Sequence, residues 1–187
     1  MNELEKRNEV ILYGQKLLAT GLVQGTWGNL SLRLDQDRFL ITPSGMNYET
    51  LEPEDICIIK ISNGEFEGRR KPSSERELHR LIMQNYPEVN AVIHTHSLYC
   101  QVFAAAGKSL PAIDSEFIKS FPFGLDCTKH ELAGTLALAQ AAVKTIGTNK
   151  GCLLANHGVV LLGSSLSEAL ALALNAETAA RDFLDRD

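Results

Sequence analysis

The sequence predicts an α/β fold of three layers, with a mixed, mainly antiparallel central sheet flanked by helices. Apolar residues recur at helical spacing in some segments and alternate with a period of two in others, and both kinds are interspersed along the chain. A hairpin signal at Asn63-Gly64 favours antiparallel pairing. Because 187 residues suffice for one substantial core, we expect residues 1–187 to form a single domain.

The first half of the chain predicts two helices separated by strands. Gly21 ends the first helical pattern and Pro87 ends the second. The predicted elements are, in order, a helix over 4–20, strands over 29–34 and 39–41, a strand over 56–61 that turns at Asn63-Gly64 towards Phe66, and a helix from Ser73 or Ser74 to Tyr86.

The second half predicts further helices and the remaining strands. An alanine-rich stretch provides one of the helices, and a turn near His157-Gly158 joins two strands. The predicted elements are a strand over 89–95, a helix over 97–106, a helix over 130–146, a strand pair over 152–162 and a helix over 165–185.

Composition excludes several functional classes. The net charge is −5 and no basic run is present, so we expect no nucleic-acid partner. The charged N-terminus lacks an apolar signal core, and no apolar stretch approaches the roughly 20 residues of a membrane-spanning helix. Four cysteines without Cys-x-x-Cys spacing are typical of free thiols in a reducing compartment, so we expect a cytoplasmic protein that binds no membrane.

Three of the five histidines follow two apolar runs: His94 and His96 close the first, and His157 closes the second. A strand sends alternate side chains to one face, so His94 and His96 point into the same space. Three imidazoles with a carboxylate or a water form a catalytic zinc site. Gly158 favours this interpretation, because a glycine lets the backbone pass close to a bound group. The alternative, a set of ordinary buried histidines, stays open at this point.

Three short segments with glycine or hydroxyl side chains border predicted strands or begin a helix. They read GTWGN at 25–29, TPSG at 42–45 and RKPSSE at 70–75. Free backbone N–H groups and the positive end of a helix dipole attract anions such as phosphate. Turns and helix capping account for each segment separately, so only the three together favour a phosphate site.

Five motifs in register resemble the class II aldolase/adducin family. They are GNLS at 28–31, TPSG at 42–45, SSE at 73–75, HTH at 94–96 and NHG at 156–158. The resemblance spans about 5 to 185 and is greatest for the fuculose-phosphate aldolases of the family. It implies the family fold and a sugar-phosphate substrate. It also implies a homotetramer with active sites between subunits.

The resemblance also implies a role for each matching residue. Zn²⁺ would be bound by His94, His96 and His157, with Glu75 as both a fourth ligand and the catalytic acid/base. Manganese, cobalt or iron stay open as the metal, because imidazoles bind several divalent ions. The residues implied to hold the substrate phosphate are Gly28, Asn29, Ser44, Gly45, Ser73 and Ser74.

The reaction implied is zinc-dependent cleavage of a ketose 1-phosphate to dihydroxyacetone phosphate and an aldehyde. Glu75 after two serines resembles the aldolases, whereas the 4-epimerase branch has Asp there and the dehydratase and decarboxylase branches usually lack the triplet. An L-ribulose-5-phosphate 4-epimerase, a dehydratase, a decarboxylase and a non-catalytic adducin-like module are the alternatives.

One position departs from the aldolase pattern. Where those aldolases carry a tyrosine that exchanges a proton with the aldehyde oxygen, this chain reads PAIDSE at 111–116, with Ser115 at the tyrosine position. Glu116 is similar in position to the catalytic glutamate of the dehydratase branch, and we predict that it takes over this role. The alternative is that Asp114 and Glu116 are solvated loop charges.

Overall fold

The computed structural model describes residues 1–186 as six α-helices and seven strands. The helices are α1 (Glu3–Ala19), α2 (Arg76–Asn85), α3 (Leu98–Ala106), α4 (Ser115–Ser120), α5 (Leu136–Ile146) and α6 (Leu166–Leu184). The strands are β1 (Gly28–Arg33), β2 (Arg38–Ile41), β3 (Cys57–Lys60), β4 (Phe66–Glu67), β5 (Ala91–Thr95), β6 (Gly151–Leu154) and β7 (Gly158–Gly163).

All seven strands form one sheet in the order β4-β3-β2-β1-β5-β7-β6. Every neighbouring pair in this order is antiparallel. Because side chains alternate along a strand, each strand contributes to both faces of the sheet. Leu30 and Ile93 pack in a core with α1, α3 and α6, whereas Val92 and Val160 pack with α2 and α5 on the opposite face. The predicted three-layer α/β fold with a mainly antiparallel sheet is confirmed.

Most predicted elements lie within a few residues of the observed ones, and two differ. The Ala-rich helix was expected from about 130, but α5 begins at Leu136, where Thr135 accepts a hydrogen bond from the Leu138 amide. The preceding residues form a turn in which Gly134 has a φ of +75°, a conformation that favours glycine. Helix α4 was not expected at all, since its six residues are too few for a helical period to show.

No helix within residues 1–186 combines the length and apolar character needed to cross a membrane. The four cysteines form no disulfide among the described residues. Cys57, Cys100 and Cys152 are buried and Cys127 is half-buried.

Candidate active site

The strand β5 supplies two of the three clustered histidines. In the antiparallel register, His94 lies opposite Asn29 of β1 on one side and opposite Val160 of β7 on the other. This central position buries His94 completely. Two residues on, His96 points to the same side, and its Nε2 lies 2.9 Å from the Nε2 of His94.

The third histidine, His157, enters from the turn between β6 and β7. Asn156 adopts a φ of +57°, the only positive φ of a non-glycine residue within 1–186, and turns the chain so that His157 faces the other two rings. The three ring centroids are 4.7–4.9 Å apart. A Cβ at Gly158 would collide with the carbonyl oxygen of Thr95, so only glycine allows this approach.

Burial keeps the clustered histidines uncharged. The Nδ1 of His94 donates a hydrogen bond to the Val159 carbonyl over 3.0 Å, which leaves the lone pair of Nε2 directed at the cluster. Burial, reinforced by His157 and His96, lowers the pKa of His94 well below its usual value. Burial and the neighbouring His96 lower the pKa of His157 to about 4. Neutral imidazoles are the form that binds metal ions.

Glu75 lies beside this cluster, immediately before α2. Its Oε1 is 3.9 Å from Nε2 of His157, and its Oε2 is buried without a hydrogen-bond partner among the described residues. Burial raises the pKa of Glu75 to about 7, although a hydrogen bond from the Gly134 backbone opposes the shift. A buried carboxyl with such a pKa can both give and take a proton near neutral pH.

The donor set fits a divalent metal ion. The ligand atoms of His94, His96 and His157 all lie within 4.8 Å of one another. The Nε2 atoms of His94 and His96 lie 2.9 Å apart, and the buried Oε2 of Glu75 and Nδ1 of His157 have no partner within the described residues. Buried polar atoms without partners are unfavourable, and a cation held among these side chains would offset that cost. Three imidazoles are a ligand set of catalytic zinc, which keeps a fourth position for a carboxylate, a water or the substrate.

A cavity of about 240 Å³ opens next to the histidine cluster. Glu75, His96 and His157 line one side of it, while His94 lies beneath the surface. All six residues predicted to hold phosphate line the same cavity: Gly28, Asn29, Ser44, Gly45, Ser73 and Ser74. The structure therefore brings the predicted phosphate residues and the predicted metal ligands into one place.

Backbone hydrogen bonds hold two of the cavity loops side by side. The Ser44 amide donates to the carbonyl of Lys71, and the Ser73 amide donates to the carbonyl of Thr42. These two bonds join the loop after β2 to the segment that begins α2. As a result, small and hydroxyl-bearing residues that are distant in the sequence face one another across the cavity.

Four further cavity residues were not assigned from the sequence: Thr26, Trp27, Pro43 and Ala133. The first three lie within the glycine-containing segments at 25–29 and 42–45, so assigning these whole segments to the site would have included them. Ala133 was hidden inside the helix expected from 130. Trp27 is 66% exposed and lies at the mouth of the cavity.

Glu116 does not line this cavity. It lies on α4, which packs against α6, and its side chain is 78% exposed and 3.3 Å from the ammonium of Lys119. Within one chain, the structure does not bring Glu116 to the histidine cluster. Asp114 accepts hydrogen bonds from the amides of Glu116 and Phe117 and thereby begins α4.

Comparison with known families decides the class of this site. Residues 8–184 match the model described as the class II aldolase and adducin N-terminal domain. The chain belongs to the class II aldolase and adducin family. The aldolases of this family act on sugar phosphates and depend on a metal ion, and the histidine cluster of this chain is suited to hold one.

Similar proteins carry aldolase names. The chain is 35% identical over 96% of its length to a 5-deoxy-D-ribulose 1-phosphate aldolase from Bacillus thuringiensis, covering 84% of that protein. It is 37% identical over 95% of its length to a 5-methylthioribulose-1-phosphate/5-deoxyribulose-1-phosphate aldolase from Rhodospirillum rubrum, covering 79% of it. A solved L-fuculose 1-phosphate aldolase superposes with a TM-score of 0.90 at 33% identity, over 95% of this chain and 84% of that one. These relatives place the protein among the aldehyde-lyase enzymes.

Proposed function

We propose that this protein is a zinc-dependent aldolase that cleaves a ketose 1-phosphate to dihydroxyacetone phosphate and an aldehyde. The observation that carries the proposal is the single cavity bordered by the histidine cluster, Glu75 and the six phosphate-site residues. A ketone near a terminal phosphate would fit this layout, because a metal site and an anion site border one small cavity.

The relatives favour a phosphate on the first carbon of a ketose. Their names specify 5-deoxy-D-ribulose 1-phosphate, 5-methylthioribulose 1-phosphate and L-fuculose 1-phosphate, which differ mainly in the part that becomes the aldehyde. All of these ketoses give dihydroxyacetone phosphate as the second product. We therefore propose that the cavity binds this shared portion.

Aldol cleavage breaks the bond between the third and fourth carbons of the ketose. The hydroxyl on the fourth carbon loses its proton and becomes the aldehyde, while the electron pair stays on the third carbon. A divalent metal supplies Lewis-acid stabilisation of the negative charge that this pair develops. Glu75, which lies beside the histidine cluster, then donates a proton to the third carbon.

The phosphate site contributes binding and orientation, away from the bond that breaks. Backbone amides of Gly28 and Gly45, the amide of Asn29 and the hydroxyls of Ser44, Ser73 and Ser74 are the proposed donors. Donors fixed in loops that hydrogen-bond to one another lose little freedom when the phosphate binds. Zinc is the proposed metal because three imidazoles are one of its catalytic ligand sets and leave a fourth position for a carboxylate, water or substrate.

Glu116 is proposed to act from a neighbouring subunit. Its exposed position on α4 lets it reach the cavity of another protomer in the homotetramer implied by the family resemblance. There it would accept the proton of the hydroxyl that becomes the aldehyde, a role compatible with a carboxylate.

We also propose that residues 1–187 are one domain around the single sheet. The enzyme is proposed to be cytoplasmic, where its four free thiols would stay reduced.

The test is incubation of the zinc-loaded protein with 5-deoxy-D-ribulose 1-phosphate, L-fuculose 1-phosphate and L-ribulose 5-phosphate. Dihydroxyacetone phosphate is measured with a coupled dehydrogenase. We expect release from at least one of the two ketose 1-phosphates and none from the 5-phosphate control. No release from any ketose 1-phosphate would reject the aldolase proposal.

A further inference from the structure

A fourth histidine lies behind the cavity wall and takes no part in the proposed chemistry. His79 is on α2, one turn after Glu75, and its side chain is completely buried. It lies between two side chains of β1. The Nδ1 of His79 is 2.6 Å from Oγ of Ser31, and its Nε2 is 2.6 Å from Oδ1 of Asn29.

The partners of His79 determine where its ring proton lies. An amide oxygen only accepts hydrogen bonds, so Nε2 of His79 must carry the proton and donate it to Asn29. The unprotonated Nδ1 then accepts the hydroxyl proton of Ser31. Burial lowers the pKa of His79 to about 3, so the ring stays neutral across the range in which most enzymes work. Ser31, His79 and Asn29 thus form a directed chain of donors.

The hydrogen bond to His79 determines which end of the Asn29 amide is left for the cavity. Asn29 lines the cavity, and its oxygen is bound to His79 on the buried side. Its Nδ2 has no hydrogen-bond partner among the described residues. Phosphate oxygens accept hydrogen bonds and do not donate them once ionised, so the NH₂ end suits a phosphate and the oxygen end would repel it.

We propose that His79 is a positioning residue that orients the Asn29 amide so that its N–H groups face the substrate phosphate. The inference rests on the proposed function, because Asn29 is a phosphate-site residue only under that function. His79 touches no substrate itself. It fixes the orientation of Asn29, which binds the phosphate, just as residues that hydrogen-bond to metal ligands fix the orientation of those ligands.

The test measures inorganic phosphate binding to the zinc-loaded protein by calorimetry, with zinc per chain determined for each variant. His79→Leu removes the donor, and we expect about 10- to 100-fold weaker phosphate binding, the usual effect of losing a hydrogen bond to a charged group. His79→Gln keeps an N–H donor, and we expect it to restore most of the loss. Ile82→Val, a buried position on the same helix, controls for loosened packing and should bind phosphate like the wild type.

A double variant separates positioning from a general structural effect. In an Asn29→Ala background, His79→Leu should cause no further loss of phosphate binding, because its effect passes through Asn29. Phosphate binding that is unchanged in His79→Leu, or weakened equally in the Leu and Gln variants, would overturn the inference. So would a further loss in the double variant.

Two other readouts keep the inference testable if the variants fold poorly or the function is wrong. Nitrogen-15 NMR of histidine-labelled wild-type protein should give the Nε2–H form for His79, and an Nδ1–H form would overturn the inference. If the wild type cleaves no ketose 1-phosphate but still binds phosphate in a His79-dependent way, the proposed function fails and the inference stands. If the metal-loaded wild type binds no phosphate, the inference fails as well.

Discussion

At the scale of residues, burial sets the charge of each candidate catalytic group. His94 is neutral because it is completely buried, and its Nδ1–H is bound to a carbonyl. Glu75 is buried with one oxygen left without a partner in the described structure, which raises its pKa to about 7. A set of neutral imidazoles next to an easily protonated carboxyl is suited to hold a cation and to move a proton.

The first prediction concerns the proton that Glu75 is proposed to move. Glu75→Gln keeps the size of the side chain but removes its acid, so deuterium exchange into dihydroxyacetone phosphate should fall by at least about 100-fold. Zinc per chain should stay near the wild-type value, because three imidazoles remain. Proton NMR in D₂O measures the exchange, and elemental analysis measures the zinc. Exchange at the wild-type rate would remove Glu75 from the reaction.

The second prediction concerns the backbone that presents His157. Asn156 has a φ of +57°, which glycine adopts freely and a β-branched residue does not. Asn156→Val should lower the free energy of unfolding by about 1–3 kcal/mol and reduce zinc binding. Asn156→Gly is the matched control and should retain the stability and the zinc binding of the wild type. Urea denaturation gives the free energies, and equal stability of the two variants would contradict the argument.

The sequence predicted the site residues that lie in local motifs, but it did not predict the role of His79 on the buried face of α2. The HTH and SSE motifs are local, and alternation along β5 places His94 and His96 on one side without knowledge of the fold. His79 carries no such signal. Its role depends on α2 packing against β1, a contact between residues about 50 positions apart. Leu78 and Ile82 surround it on an amphipathic helix, and there a lone histidine resembles any core residue.

At the scale of elements, the antiparallel register positions the site. Pairing of β5 with β1 and β7 aligns His94 with Asn29 and brings the turn before Gly158 to the same end of the sheet. Sequence alternation predicted the strands, but it could not predict their order. The late start of α5 follows from the turn before it, because Gly134 has a φ of +75° and Thr135 accepts the first capping hydrogen bond.

The third prediction concerns the beginning of α6. Glu168 accepts hydrogen bonds from the Lys150 ammonium and from the Ser164 hydroxyl and amide, which together lower its pKa from 4.5 to about 2. A lowered pKa in the folded state adds stability above pH 4.5, and this stability is lost as the pH falls from 4.5 towards 2. Glu168→Gln should therefore cost about 0.5–1 kcal/mol at pH 7, since solvent screens the pair, and less at pH 3.

Urea denaturation at several pH values checks this prediction. Glu54→Gln is the control, because Glu54 is exposed and forms no ion pair with the described residues. The free energy of unfolding of Glu54→Gln should differ little from that of the wild type, and this difference should not change with pH as it does for Glu168→Gln. A Glu168→Gln penalty that stays constant between pH 7 and pH 3 would contradict the linkage.

At the scale of the whole molecule, several large apolar side chains are left uncovered in a single chain. Phe123 is 78% exposed, Leu132 is 70% exposed and Trp27, at the cavity mouth, is 66% exposed. Exposed apolar side chains are candidates for contact with other protein chains. Trp27 lines the cavity and Leu132 precedes Ala133, which also lines it, so a second subunit that covered these two side chains would lie near the cavity.

The fourth prediction is the mass of the assembly. Four chains of 20.5 kDa give about 82 kDa by light scattering after size-exclusion chromatography. Glu116→Ala should leave this mass unchanged and slow cleavage by at least about 100-fold, because a proton acceptor is lost. A monomer with full activity would reject the intersubunit site, and unchanged turnover in Glu116→Ala would return Glu116 to the solvated surface.

The most direct test of the account measures dihydroxyacetone phosphate release as a function of zinc bound per chain. The substrate is whichever ketose 1-phosphate the enzyme cleaves. Protein stripped with a chelator should release none, and the rate should rise in proportion to zinc up to one ion per chain. His96→Ala should bind little zinc and stay inactive, since it lacks one of the three imidazoles. A stripped protein that keeps the full rate would contradict the central claim.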